Sequence, residues 1–279
     1  MTPPEKPSCD ELNSGFMPSR ELKVEFPEPS GSIEQDDEWC FIHENGESRK
    51  IRFHDYHKVF SVPGLYEHLF HDRLDCKSPE VVCDLLNEEV AEHEGEYVSA
   101  LNVLEIGSGN GVVGEQLRQM GVRKLVGVDI IDEAADAAQR DRPGIYDEYH
   151  VADLTELSAS TRESLQSEEF NCLVTVAALG FGDLPPEAFS EAYNMVAPGG
   201  WVAFNIKEDF VDGSDSTGFS DLIQSCDEAK VFDIRRKRRY RHRYSTSGDP
   251  LHYVAFVAQK LRDISDARLA AVGVSADSP

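Results

Sequence analysis

The stretch from Asn102 to Leu117, "NVLEIGSGNGVVGEQL", constrains the fold more than any other part of the chain. An apolar run ends at Ile106, glycines follow at 107, 109 and 111, and a helical pattern opens at once. Glycine at such a turn permits backbone angles that other residues avoid, and lets a ligand approach the main chain closely. A buried strand turning through glycines into a helix is how doubly wound α/β sheets hold ligands beyond the carboxyl ends of their strands. Two spacings coexist in the stretch. Gly109, Gly111 and Gly114 spell G-x-G-x-x-G, the phosphate-cradling pattern of dinucleotide folds. Glu105 with Gly107, Gly109 and Gly111 spells acid-x-G-x-G-x-G.

The rest of the chain supports an α/β reading. "KLVGVDI", "DEYHVADL", "FNCLVTVAAL" and "APGGWVAFNI" read as strands separated by helical segments that include "EAADAAQRD" after Asp132, "ESLQ" and a helix opened by Pro185-Pro186-Glu187. "FSDLIQSC" is a further helix, and "VFDIRRKRRYRHRY" and "LHYVAFVAQK" are two long strands joined at Ser247-Gly248-Asp249. Such alternation predicts a Rossmann-like, doubly wound sheet of about seven strands, mostly parallel, with an antiparallel strand at its edge. Ahead of it, "WCFIHENGESRKIRF" reads as a hairpin turning at Asn45-Gly46. "HDYHKVFSVPGLYEHLFHDRL" reads as short helical pieces broken near Pro63-Gly64, and Ser78-Pro79 as a helix start with Ser as cap. The expected organisation is a disordered acidic tail (1–38), an N-terminal hairpin and helical cap (39–96), the main domain (97–262) and a C-terminal tail (263–279).

Two arguments disfavour a dinucleotide at the loop. A tight turn starting where the strand ends, at Gly107, puts the third glycine of G-x-G-x-x-G on Val112. A pyrophosphate beside Glu105 also faces like charge, worth roughly 3 kcal/mol of repulsion at about 5 Å and an effective dielectric near 20. A cofactor presenting an ammonium and a sulfonium is attracted instead.

"LEIGSGNG" resembles the first motif of class I S-adenosylmethionine-dependent methyltransferases, and the likeness extends over roughly residues 100–210. By that resemblance Glu105, Gly107, Ser108, Gly109 and Gly111 form the cofactor loop. "GVDI" resembles the second motif, which implies that Asp129 accepts both ribose hydroxyls and Ile130 packs on adenine. "VADL" resembles the third, with Asp153 taking the adenine amino group and Leu154 beside it. The strand "FNCLVTVAAL" brings Ala177 to the same edge. "GVDIIDEAADAA" and "YDEYHVADLTE" are further similar to the Williams–Beuren-region methyltransferase-like group, which implies no substrate.

Methyl transfer from a sulfonium needs alignment and exclusion of water more than acid–base help. "AALGFG", Ala177 to Gly182, lacks the Asn/Asp-Pro-Pro-aromatic motif that in the family goes with nucleobase amino methylation, and Cys172 lies mid-strand without a Pro-Cys nucleophile motif. A small or partly apolar acceptor, methylated at O or N, is the expected substrate. Tyr56, His57 and Tyr66 are the candidate contacts to cofactor or acceptor. His54 and Asp55 are placed to pair with each other, and Lys207 and Glu208 face either the cleft or solvent.

Composition bounds the partners. Asp and Glu number 52 against 27 Lys and Arg, a net charge of −25, which repels nucleic acid over most of the surface. "RRKRRYRHR", Arg235 to Arg243, runs the other way with seven Lys/Arg. Strand alternation puts Arg239, Arg241 and Arg243 on one face and Tyr240, His242 and Tyr244 on the other. This stripe is read first as a charge-guarded edge strand or one paired with the acidic bulk. The rival is an RNA or protein methyltransferase that uses the stripe on an anionic acceptor. An NAD(P)-dependent oxidoreductase and a non-catalytic cofactor binder are the remaining alternatives. The six cysteines form no C-x-x-C and no zinc spacing, so no metal is expected and reduced thiols are. The N-terminal segment shows no secretory pattern and no run of about 18 apolar residues occurs, so a cytoplasmic protein is expected. The oligomeric state is left open.

Overall fold

The computed structural model describes residues 22–27, 33–44, 46–211 and 218–271. An antiparallel sheet comes first, in the order β1 (Lys23–Glu25), β2 (Trp39–Glu44), β3 (Glu47–Arg52). Glu44 pairs with Glu47, so the hairpin closes through two residues, with Gly46 at φ +83°. Asn45 itself lies outside the described residues. The expected hairpin thus gains a third strand, β1, from within the segment read as an acidic tail. Val24 enters the small core built by Ile42, Ile51, Phe53, Leu65 and Leu69.

Next come α1 (Tyr56–Phe60), a single π-helical stretch over Glu67–Arg73, and α2 (Ser78–Glu92). Ser78 does not cap α2 as the sequence suggests. Its hydroxyl lies 2.6 Å from both the Tyr240 hydroxyl and His242 Nδ1, and it accepts from Asn205 Nδ2 at 3.0 Å.

The main body alternates β4 (Asn102–Ile106), α3 (Val112–Met120), β5 (Lys124–Asp129), α4 (Asp132–Asp141), β6 (Glu148–Val151), α5 (Ala159–Gln166), β7 (Cys172–Thr175), α6 (Pro186–Asn194), β8 (Trp201–Lys207), α7 (Glu208–Val211) and α8 (Phe219–Glu228). It closes with β9 (Phe232–Tyr244), β10 (Pro250–Lys260) and α9 (Asp266–Ala271), the last within the segment read as a C-terminal tail. The sheet order is β6-β5-β4-β7-β8-β10-β9. Strands β4 to β8 pair in parallel, and β10 is antiparallel to both β8 and β9. The antiparallel strand expected at this edge is therefore β10, one place in from β9. Strand order reverses between β4 and β7, which sets a crevice at the carboxyl end of β4, where such sheets bind ligands.

Side chains of successive strand residues point to opposite faces of the sheet. Leu104 and Ile106 pack with Phe204, Phe256 and Phe189 on one face, and Val103 packs with Leu125, Trp201, Val82 and Leu117 on the other. Phe204 and Phe256 stack at 4.9 Å and 7°. Full burial of side chains of this size stabilises by roughly 1.5–3 kcal/mol each. The same alternation puts Glu105 on the Val103 face, beneath α2 and α3, a consequence that matters at the site.

Candidate active site

The glycine loop is held from three sides. Ser108 Oγ donates to Glu105 O at 2.8 Å and accepts from Val128 N at 3.0 Å, fixing the loop to the ends of β4 and β5. Tyr149 Oη donates to Gly109 O at 2.8 Å. Gly109 N donates to Asp129 Oδ2 at 2.8 Å, and Ile131 N donates to Asp129 Oδ1 at 3.1 Å. Gly107 and Gly109 sit at φ +64° and +52°. A Cβ on Gly107 would stand 2.8 Å from Ala178 Cβ, so that glycine is required by space as well as by backbone, and one on Gly109 would press on the Phe60 ring at 3.0 Å.

A cavity of about 370 Å³ opens over this loop, within the size range of small-molecule sites. Gly107, Ser108, Gly109, Asp129, Ile130, Asp153, Leu154 and Ala177 all line it. Asp129 is buried, and burial pushes its carboxyl above the usual range while backbone N–H groups oppose the shift. A carboxylate offers about four acceptor positions, so it is not saturated by these bonds. Ile130 is 59% exposed, an apolar surface left bare at the cavity wall. Asp153 accepts from Thr155 N at 2.8 Å and Thr155 Oγ1 at 2.6 Å, and these bonds hold its carboxyl below the usual range.

Two expected loop residues stand elsewhere. Gly111, at φ +85°, precedes α3 and lies outside the cavity lining. Glu105 also lies outside it: the carboxyl turns to the opposite face of the sheet and accepts from Tyr146 Oη at 3.1 Å. Burial pushes its pKa from 4.5 up to about 8. The repulsion argued from Glu105 against a pyrophosphate therefore fails on direction and on charge. Asp129 is the carboxylate that faces the cavity.

The cap supplies the roof. Tyr56 stacks on Phe60 and Phe60 on Tyr66, with centroids 5.9 and 5.4 Å apart. Tyr56, Phe60 and Tyr66 line the cavity, and His57 does not. Burial pushes the Tyr56 and Tyr66 hydroxyls well above the usual tyrosine range. Four residues not singled out in the sequence fasten this roof. Glu67 Oε1 accepts from Asn110 Nδ2 and from Arg142 Nη1, each at 2.7 Å. Arg140 Nη1 donates to Phe60 O at 3.1 Å. Their partners lie 43 and more positions away in sequence, so no local pattern reveals them.

His54 and Asp55 do not pair. Asp55 instead takes Lys58 at 2.7 Å, a neighbour one helical turn on, and His54 Nδ1 lies 2.9 Å from Asp183 Oδ2 in the loop after β7. Lys207 pairs with Asp209 and Glu208 with Arg239, outside the cavity. Cys172 is fully buried, and burial raises its thiol out of the reactive range.

The arginine stripe does not form. A register shift opposite Leu251 and His252 places His242 and Arg243 side by side in the interior, which ends the expected alternation. Arg236 pairs with Glu89 and Glu92, Arg238 with Glu88, Arg239 with Glu208 and Arg241 with Asp75. Arg243 pairs with Glu38. The basic strand is committed to the acids of α2 and its surroundings.

Residues 104–204 match a family model described as a methyltransferase domain. Among curated proteins, no sequence matches. Among solved structures, the N-methyltransferase NodS from Bradyrhizobium japonicum WM9, in complex with S-adenosyl-L-homocysteine, is similar with TM-score 0.52 and 16% identity over 75% of this chain and 97% of that one. Magnesium protoporphyrin IX methyltransferase from Synechocystis PCC 6803, with bound S-adenosylmethionine, gives TM-score 0.46 and 16% identity over 65% and 79%. The first likeness shows the fold, and the matched segment spans the glycine loop, Asp129 and Asp153. Residues 104–204 are thus similar to a methyltransferase domain, in line with the class I S-adenosylmethionine-dependent resemblance of the glycine-loop motifs.

Proposed function

We propose that this methyltransferase acts on a small-molecule acceptor, at oxygen or nitrogen, inside the cavity between the glycine loop and the aromatic cap. The observation that carries the reading is that Tyr56, Phe60 and Tyr66 roof the same cavity that Gly107, Asp129 and Asp153 floor. A roof fastened by Glu67 and Arg142 leaves room for a compact acceptor and keeps water away from it. The residues fit the cofactor: Asp129 retains acceptor positions for ribose hydroxyls, exposed Ile130 and Leu154 offer apolar walls to an adenine, and the glycines admit a ligand against the main chain. When bound, S-adenosylmethionine supplies an electrophilic methyl group. Asp129 orients the nucleoside, Asp153 is the candidate partner of the adenine amino group, and Tyr56 and Tyr66 hold the acceptor. In this reading residues 39–96 are an acceptor-binding cap on a cofactor domain of residues 97–262.

The RNA or protein reading loses its support with the arginine stripe, because the guanidiniums it needs are paired with carboxylates. The test is turnover of a metabolite panel, read as S-adenosylhomocysteine release. Release with a small acceptor, and none with bulk RNA or protein, is the expected result. Release with a macromolecule alone overturns the reading.

A further inference from the structure

The loop after β7 carries unusual backbone. Ala177 and Phe181, neither of them glycine, sit at φ +55° and +57°, with Gly180 and Gly182 also left-handed. Non-glycine residues in this region are strained, and such strain gathers at functional sites. The strained loop delivers one carboxylate, Asp183, to the cavity wall, where its Oδ2 lies 2.9 Å from His54 Nδ1. His54 comes from the cap, 129 positions away, and its side chain is 16% exposed against 26% for Asp183. Both line the cavity, as Tyr56 and Ala178 do. The His54 ring is wedged edge-on between Tyr56 and Phe181, with centroids at 5.7 and 5.4 Å. Its Nε2 makes no hydrogen bond among the described residues.

We propose that His54 is the general base of the transfer and Asp183 its positioning residue, and that the acceptor is an aromatic hydroxyl compound. This rests on the cofactor reading above and narrows it. A carboxylate on Nδ1 fixes the tautomer that leaves a lone pair on Nε2, and it stabilises the imidazolium that forms. An amine that has already shed its proton attacks without help, whereas a hydroxyl is a poor nucleophile until its proton leaves. A dedicated, carboxylate-backed imidazole therefore suits a hydroxyl acceptor. The surrounding rings of Tyr56, Phe60 and Tyr66 suit an aromatic one. In the step, the acceptor oxygen bonds to the methyl carbon as the carbon–sulfur bond breaks, the bonding pair stays on sulfur, and the acceptor proton passes to Nε2.

The test uses the full chain and para-cresol as probe, a phenol that ionises near tyrosine's value of about 10 and so keeps its proton at neutral pH. Calorimetry first measures S-adenosylhomocysteine binding, then follows titration of the phenol into the loaded protein. Saturable phenol binding and methylation of the phenol are expected. His54→Gln then lowers turnover by about a hundredfold to ten-thousandfold, the range of a general base, with S-adenosylhomocysteine affinity unchanged. Asp183→Asn, which keeps the side-chain shape, lowers kcat and leaves KM unchanged, a split that general loosening of the cap does not give. Cofactor binding without phenol binding, methylation of para-nitrobenzylamine in preference to the phenol, or full turnover by His54→Gln overturns this assignment and leaves the cofactor reading standing. Failure to bind S-adenosylhomocysteine removes both.

Discussion

Arg243 Nη2 donates to Glu38 Oε2 at 2.5 Å, with the two side chains 3% and 0% exposed, across 205 positions of sequence. The other Glu38 oxygen accepts from Thr246 N at 2.5 Å. The pair ties the start of the cap to the last hairpin of the main sheet, so the roof of the cavity depends on an ion pair that solvent does not reach. Removing one partner of such a pair costs about 3–5 kcal/mol, because the other is left charged and buried. Glu38→Leu is expected to lose that much in urea unfolding, and Glu38→Leu with Arg243→Met to lose markedly less. Equal losses in the single and double variants contradict the assignment.

Glu105 gives a pH dependence with a defined sign. Its pKa rises from 4.5 to about 8 on folding, mainly by burial. The folded chain then holds the proton more tightly than the unfolded one, so this group's contribution is fully present below about pH 4.5 and is lost as pH rises to about 8. The slope approaches about 1.4 kcal/mol per pH unit within that window. Glu105→Gln accepts the same Tyr146 hydrogen bond without titrating. It is expected to gain stability over the parent progressively from pH 5 to 8, in paired urea melts, with cofactor affinity unchanged. A constant difference across that range contradicts the burial argument.

Gly107→Ala combines a left-handed backbone with a Cβ placed 2.8 Å from Ala178 Cβ. The backbone alone costs roughly 1–2 kcal/mol, and the contact shifts the loop that Asp129 holds. Lower thermal stability together with weaker S-adenosylhomocysteine binding is expected. Unchanged binding indicates that the loop does not approach the ligand.

The layout of the main sheet was legible because each strand-to-helix step carries its own local signal: the glycines after Ile106, Asp129 at the end of β5, and the Pro185-Pro186 start of α6. Most of the residues that line the cavity over the glycine loop were legible for the same reason. The failures share a cause. Glu105 reads as a loop acid, yet strand alternation turns it to the opposite face, and only the packing of α2 and α3 shows that the face is closed. His54 reads as a partner for Asp55 because adjacency is visible in a sequence and a contact over 129 positions is not. The arginine face reads as regular because the sequence does not show the register shift near His242.

The basic strand is expected to leave RNA alone. Its guanidiniums are paired with acids on a chain of net charge −25. An electrophoretic mobility assay with single-stranded RNA at physiological salt should show no shift. A shift that weakens steeply with added salt, the signature of phosphate contacts, contradicts this.

The most direct test of the cofactor site is calorimetric titration of the full chain with S-adenosylhomocysteine, beside NAD and beside the Asp129→Ala variant. The account predicts saturable binding of S-adenosylhomocysteine, no heat from NAD, and affinity about tenfold or more weaker in Asp129→Ala, the loss of a charge-assisted hydrogen bond or more. Saturable binding of NAD, or no response to S-adenosylhomocysteine at about millimolar concentration, contradicts it.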